Sequence, residues 1–281
     1  MKSYIPVIAI TAVFLGTALY APAAAASPWT LDRGEYFLQL GQSYYNASEY
    51  RDAGGGIRDD ASYSNLTSYA YGEVGLFDDV HLQFYAPFVA AWSEHEAGSF
   101  QHHSFGDTLL SVQASPVDLQ LPTSIRLETK LPLYAAPDEP GAPIAGDHQI
   151  DVSGWLSVGG GLHHWEIPMY FYLDAGYVHR TRANFDAQRP GGDYSDAFSA
   201  RLEAGYTVAE LVDLSIGTSA FLPYSFNEAR DEAYVTVGPG VFVPLTERIA
   251  VDADAYFTPY SRNAGAGWAI SAGISLMNPV D

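Results

Sequence analysis

The chain is 281 residues long, carries 13 Lys and Arg against 33 Asp and Glu, and has no cysteine. Its formal charge of −20 argues against a nucleic-acid partner, because phosphate recognition needs clustered Lys and Arg. Without cysteine there is no disulfide framework, thiolate nucleophile or Cys metal site, and 48% hydrophobic with 16% charged residues is too apolar a mix for a disordered chain.

Residues 1–26 have the features of a secretory signal peptide. Lys2 supplies a positive start, Ile5–Leu19 is an apolar run, and Ala24-Ala25-Ala26 offers a small-residue cleavage site before Ser27. The alternative is an uncleaved anchor, but the run falls short of the roughly 20 residues that a membrane helix needs. No Cys follows the site, which excludes a lipoprotein. No later segment has the length and apolarity of a membrane helix. Membrane-barrel strands remain open, since these need only about 9–11 alternating residues.

Residues 27–281 read as one domain of twelve alternating segments. In chain order they fall at 35–46, 62–76, 80–92, 104–115, 123–131, 148–158, 168–181, 201–208, 213–222, 234–243, 249–257 and 268–276. The clearest is the fifth, where Thr123, Ile125, Leu127, Thr129 and Leu131 share one face and Ser124, Arg126, Glu128 and Lys130 the other. Such a period of two is the mark of a strand.

The connectors alternate in length. Long ones are expected at 47–61, 93–103, 135–147, 182–195, 224–232 and 259–266. Short ones are expected at 77–79, 116–120, 159–167, 209–211 and 245–248. Outer-membrane barrels have long extracellular loops, short periplasmic turns and an even strand number. The fold class is therefore all-β, a transmembrane antiparallel β-barrel of about 12 strands. A secreted β-sandwich is the alternative, and it gives no reason for alternating connectors. Trp92, Trp268, Tyr260 and Phe257 fall near loop ends, and Trp155 and Trp165 bracket a turn, as interfacial aromatic belts would.

One stretch has a familiar layout. Ser104-Phe105-Gly106-Asp107 opens a strand continuing Thr108-Leu109-Leu110-Ser111-Val112. A polar-lined strand ends at Lys130-Leu131-Pro132, a Pro/Gly-rich loop runs to Gly146-Asp147, and Asp174-Ala175-Gly176-Tyr177 follows. This resembles the family of transporter-like outer-membrane proteins named for the meta-pathway of phenol degradation. The resemblance implies a barrel that passes small, often hydrophobic or aromatic molecules, with no functional residues to carry over. Many bacterial barrels end in an aromatic residue on the last strand, whereas here the last segment ends near Leu276 and Met277–Asp281 trail after it.

The phase of the strands assigns the interior. The expected lumen and selectivity residues are Arg126, Glu128, Lys130, Asp174, Arg201, Glu203, Asp252 and Asp254. Glu73, Asp107, Asp151, Arg180 and Asp213 share their phase. Acids outnumber bases there nine to four, favouring cations or neutral solutes over anions. These charges either pair into a layer that fills the barrel or line a selective passage. Tyr69, Tyr71, Tyr170, Tyr172, Tyr234 and Tyr256 form an aromatic lining of the same phase, able to stack a flat apolar solute or simply to fill space.

Pro87, Pro132, Pro168 and Pro239 fall inside strand segments. Proline removes a ladder donor, so each marks a bulge or, with neighbouring strands apart, a lateral opening toward lipid.

Other chemistry is weaker. His102-x-Ser104 resembles the pair used by twelve-stranded outer-membrane phospholipases, read as outward-facing. Such a pair needs Ser104 and His102 in hydrogen-bond reach and a third group orienting the histidine. Residues 121–147 contain no Asn to serve as that group. His95, His102 and His103 with Glu94 and Glu96, His163-His164 with Glu166, and Asp52, Asp59 and Asp60 are solvated clusters rather than metal sites. No catalytic residue, metal or cofactor is expected.

The function expected is passive passage of small, possibly hydrophobic or aromatic solutes across the outer membrane. The expected partners are outer-membrane lipid, lipopolysaccharide, the solute and the barrel-assembly machinery. A structural or adhesive barrel with a plugged lumen is the alternative, and a lipid hydrolase using His102 and Ser104 the third. A continuous gap past Arg126, Lys130, Arg201, Asp252 and Asp254 favours transport, and a closed ionic layer favours the plugged barrel.

Overall fold

The strand around Arg126 sets the logic of the molecule. Ile125 and Leu127 point outward, 52% and 63% exposed, while Arg126 and Lys130 point inward and are buried. A soluble sheet buries its apolar face. This one does the reverse, as strands do when the outer solvent is lipid and every backbone group must be satisfied within a closed ring.

The computed structural model describes residues 27–59, 61–95, 98–116, 120–134, 137, 142–162, 168–181, 183, 194–209, 211–227 and 231–278. Its strands are β1 (Tyr36–Arg51), β2 (Ile57–Arg58), β3 (Ser62–Phe77), β4 (Val80–His95), β5 (Gly98–Phe105), β6 (Asp107–Ala114), β7 (Thr123–Pro132), β8 (Asp151–Gly161), β9 (Met169–Arg180), β10 (Ala197–Val208), β11 (Val212–Pro223), β12 (Ala233–Pro244), β13 (Ile249–Arg262) and β14 (Ala264–Met277). Each barrel strand pairs antiparallel with its sequence neighbours. β14 pairs with β1 from Met277↔Phe37 to Ala264↔Arg51 and closes the ring. The ring has twelve strands. β2 is a short return along β1, and β5 continues the line of β6 but pairs only with β4.

All twelve segments read from the alternation are strands. Three connectors differ. β1 runs on to Arg51 past a bulge between Ala47 and Glu49, and β5 occupies much of the loop expected at 93–103. The long loop expected at 259–266 is strand on both sides of Asn263, which turns the chain with φ 53°, a left-handed conformation that Asn tolerates. Ala264, Gly265, Ala266 and Gly267 carry no apolar–polar alternation for a sequence to display, yet they pair with β1.

Short connections gather at one end of the barrel, where Asp78-Asp79 is the tightest. The two chain ends meet there as well, the Tyr36 N–H donating to Asn278 Oδ1 at 2.7 Å. The long connections gather at the opposite, loop end. Trp92, Trp268, Tyr260 and Phe257 are outward-facing and 40–54% exposed. Trp155 is a correction: it shares the inward phase of Asp151 and Ser153, donates Nε1–H to Ser153 Oγ at 2.9 Å and lies over Arg126 at 4.9 Å. Trp165 lies outside the described residues.

Candidate functional site

Inside the barrel, polar side chains make layers. Nearest the turn end, Gln83 bridges His81 (2.8 Å) and Gln113 (3.2 Å) and accepts from Ser111 (2.8 Å), and Gln113 also donates to Ser124 at 2.9 Å. This ladder holds a visitor. The segment before β1 enters the turn end, where the Ser27 carbonyl accepts from Gln113 at 2.7 Å and the Leu31 N–H donates to His81 Nδ1 at 3.1 Å. Nothing in the alternation pointed to this, because residues 27–35 show no strand phase and the ladder is uncharged.

The expected selectivity residues all face inward. Arg126 lies 3.9 Å from Asp174 and 3.8 Å from Glu128. Arg201 pairs with Glu203 at 3.1 Å, and Glu203 also accepts from Tyr170 (3.1 Å) and Tyr172 (3.0 Å). Asp252 accepts from Gln39 at 2.6 Å, and Asp254 from Tyr256 and Ser271, each at 3.3 Å. The tyrosines divide. Tyr69 and Tyr71 pack with Tyr85 and Leu109 in a buried cluster, with Tyr71 bonded to Glu73. Tyr234 stacks on Phe221 at 5.8 Å, while Tyr170, Tyr172 and Tyr256 border open space.

Lys130 sits in a denser cluster. It lies 2.6 Å from Asp151 and 3.5 Å from Asp107, and it contacts Asp147 directly. Arg180 grips the same Asp147 and lies 3.8 Å from Asp151. Asp147 belongs to no strand. It is carried inward by the connection between β7 and β8, whose Ala142, Ala145 and Gln149 are all buried. Burial pushes the Asp147 carboxyl up, but the Lys130 and Arg180 charges outweigh it and hold it below the ordinary aspartate value.

Two of the three Gly-Asp pairs of the sequence, Gly106-Asp107 and Gly146-Asp147, meet here. The Asp147 N–H donates to Asp107 Oδ2 at 3.3 Å. A side chain on Gly146 would collide with Asp107 and the Tyr134 hydroxyl, and one on Gly106 would press on the Ala145 carbonyl and Pro87 at 3.1 Å. Asp147 escaped assignment to the lumen because loops have no phase to read.

Two cavities are lined by the described residues. The upper, about 120 Å³, borders Arg126, Lys130, Arg180, Trp155 and Phe221. The lower, about 370 Å³, borders Trp29, Phe37, Tyr172, Asp213, Asp252 and Asp254. They share no lining residue. Where they approach, Arg201 of the upper lining pairs with Glu203 of the lower, which also accepts from Tyr172, an ionic and aromatic contact inside the barrel.

Among the described residues, the pairing of the wall is interrupted where β5 gives way to β6. β4 pairs with β6 as far as Tyr85↔Leu109 and with β5 from Phe88↔Phe105, leaving Ala86 and Pro87 unpaired on that side except for the Gly106 N–H donating to the Pro87 carbonyl at 2.9 Å. β7 stops at Pro132, opposite Asp107. Beyond that level β5 has no second strand partner among the described residues, and Ala145 of the inturned loop packs with Tyr63, Val89 and Ala91. β6 is 8 residues long. At about 3.3 Å per residue and about 40° tilt, the break lies roughly 20 Å from the turn end, inside an apolar band about 25 Å tall. Pro239 differs: its strand pairs on both sides, with a register shift between Val235 and Val237. Pro168 precedes β9.

The weaker candidates do not assemble. His102 and Ser104 pair with Ala91 and Val89 and share their inward face, not the lipid face expected. The Ser104 hydroxyl donates to the Phe105 carbonyl at 2.9 Å, and His102 Nε2 is unpartnered. His95 stacks on Phe100, and Asp52 caps the turn by accepting from the Gly54 and Gly56 N–H groups. Among the described residues no three His, Asp or Glu groups come together as metal ligands would. Asp60, Glu96, His163, His164 and Glu166 lie outside them.

The fold and interior define an outer-membrane-type barrel of twelve strands, into which a chain segment reaches from each end. An outer membrane channel from Pseudomonas putida F1 superimposes with a TM-score of 0.74 at 12% identity, covering 92% of this chain and 99% of that one. The translocator domain of the autotransporter NalP from Neisseria meningitidis follows at 0.52 and 8% identity, covering 88% and 89%. The NanC porin gives 0.50 at 8% identity, covering 85% and 98%. No family model matches the chain, and no curated protein matches it.

Proposed function

We propose that this protein is a passive outer-membrane channel for small hydrophobic solutes, which enter its interior and leave through the wall. The family resemblance of the sequence to transporter-like barrels of aromatic degradation points the same way. The observation that carries the proposal is the wall break at Pro87, Gly106 and Pro132. A loop replaces strand pairing there at membrane depth, while the interior carries charged side chains that disfavour an apolar solute. Residues 1–26, outside the described residues, would export the chain. Lipid and lipopolysaccharide would surround it, and barrel-assembly machinery would insert it.

The cysteine-free chain allows a direct test. Val89→Cys with Ala145→Cys places two thiols in one buried cluster across the break. In vesicles with a lipopolysaccharide outer leaflet, the oxidised pair should abolish the accelerated entry of a small aromatic hydrocarbon, and reduction should restore it. Uptake unaffected by the crosslink would sink the lateral route. The charged interior favours the second proposal, a structural or adhesive barrel, and no uptake by the parent protein would select it.

Membrane placement has its own test. Ile216 lies outward at mid-strand and is 59% exposed. Ile216→Arg should cost about 2–4 kcal/mol in the denaturant unfolding of vesicle-inserted barrel. A cost near zero would place that face in water.

A further inference from the structure

The two cavities differ in sign. The upper is bordered by four acidic and four basic side chains. The lower is bordered by four carboxylates, of Glu203, Asp213, Asp252 and Asp254, and by no Lys, Arg or His. Glu203 has Arg201 as its counter-charge. Thr207, Gln39, Tyr256 and Ser271, all neutral, donate hydrogen bonds to Asp213, Asp252 and Asp254, and the Arg201 charge also acts on Asp254.

A second observation points the same way. Gln39 is 4% exposed and lines the lower cavity; its Nε2 is spent on Asp252, and its Oε1 has no hydrogen-bond partner. A buried acceptor without a donor is costly, and what this one lacks is an N–H or O–H. The rest of the lining includes the rings of Trp29, Phe37 and Phe242, whose faces attract cations. The carboxylates are spread around the wall and are not convergent as metal ligands would be.

We infer that the lower cavity is a site for an organic ammonium: a charged amine carried on an apolar or aromatic body, its N–H groups toward Asp252, Asp254 and Gln39 and its body against the rings. This deepens the channel proposal and rests on it only for how the amine would arrive. The same chemistry has a second source, the α-ammonium of Ser27, since Ser27 borders the cavity and would begin the chain if cleavage follows Ala26.

The test uses the refolded 27–281 barrel, with its Ser27 amine free or acetylated, titrated with 2-phenylethylammonium, neutral 2-phenylethanol and phenylacetate. Trp29 fluorescence and calorimetry report binding. The ammonium should bind saturably and about tenfold or more tighter than the alcohol, as charge-assisted hydrogen bonds require, with phenylacetate weakest. Asp252→Asn with Asp254→Asn should erase the preference, and Gln39→Leu should weaken it while leaving the carboxylates in place. Ammonium binding confined to the acetylated chain would assign the site to the protein's own terminus. Equal binding of amine and alcohol, or an unchanged preference in well-folded variants, overturns the inference. Aromatic-hydrocarbon uptake measured on the same preparations separates the two proposals: uptake without amine preference fails this site alone, and amine binding without uptake fails the channel.

Discussion

Asp147→Asn should open the loop end of the barrel. Single-channel conductance should rise several-fold over the parent, and the inturned loop should become a protease substrate. The reason is the load on one carboxylate. Among the described residues of its connection, Asp147 is the one gripped by both Lys130 and Arg180, and all three side chains are at most 7% exposed. Removing Asp147 leaves Lys130 and Arg180 to share Asp151 and Asp107, a loss of at most about 3–5 kcal/mol, whereas letting the loop swing outward lets water solvate Lys130 and Arg180. Acid should do the same reversibly. Because the folded carboxyl titrates below its ordinary value, its stabilisation is fully present above the unfolded value of about 4 and is lost as pH falls through the lower folded value. Loss of the Asp147 charge should be read as conductance rising at the acid end, below about pH 4. A parent-like conductance in Asp147→Asn, with the loop still protected, would show that the clamp does not hold the plug.

Removing residues 27–34 should do little alone and much in combination. That segment closes the turn end through His81 and Gln113, but the clamp and the Arg201–Glu203 pair lie further along the same axis. Barriers in series are limited by the largest, so lifting a smaller one leaves current nearly unchanged. In the Asp147→Asn background the same deletion should raise conductance by more than the sum of the single effects, measured in planar bilayers. Strictly additive increments would mean that the two plugs guard separate paths.

The parts of this molecule that a sequence displays are those with a period. Arg126, Lys130 and Arg201 alternate with Ile125, Leu131 and Leu202, and every one of those charges lies inside. What stayed hidden has no period. Asp147 is held by contacts with residues 17 and 33 positions away in the chain, the Ser27–Leu31 segment is held by uncharged side chains of β4 and β6, and Ala264–Gly267 is strand built from residues too small to show a face. His102 was misplaced for a related reason: Gly106 interrupts the strand, so alternation counted across it inverts the faces of β5.

The clamp also has a history within each molecule. Its members come from β6, β7, β8, β9 and the loop between them, spanning Asp107 to Arg180, so it cannot assemble until those staves are side by side. Contacts that join distant parts of a chain form late. The barrel must therefore exist, however briefly, with its loop end unstoppered before its own loop falls in. A freshly inserted molecule should leak more than a matured one for an interval set by the docking of that loop, which makes closure of this end a maturation step rather than a property of the walls.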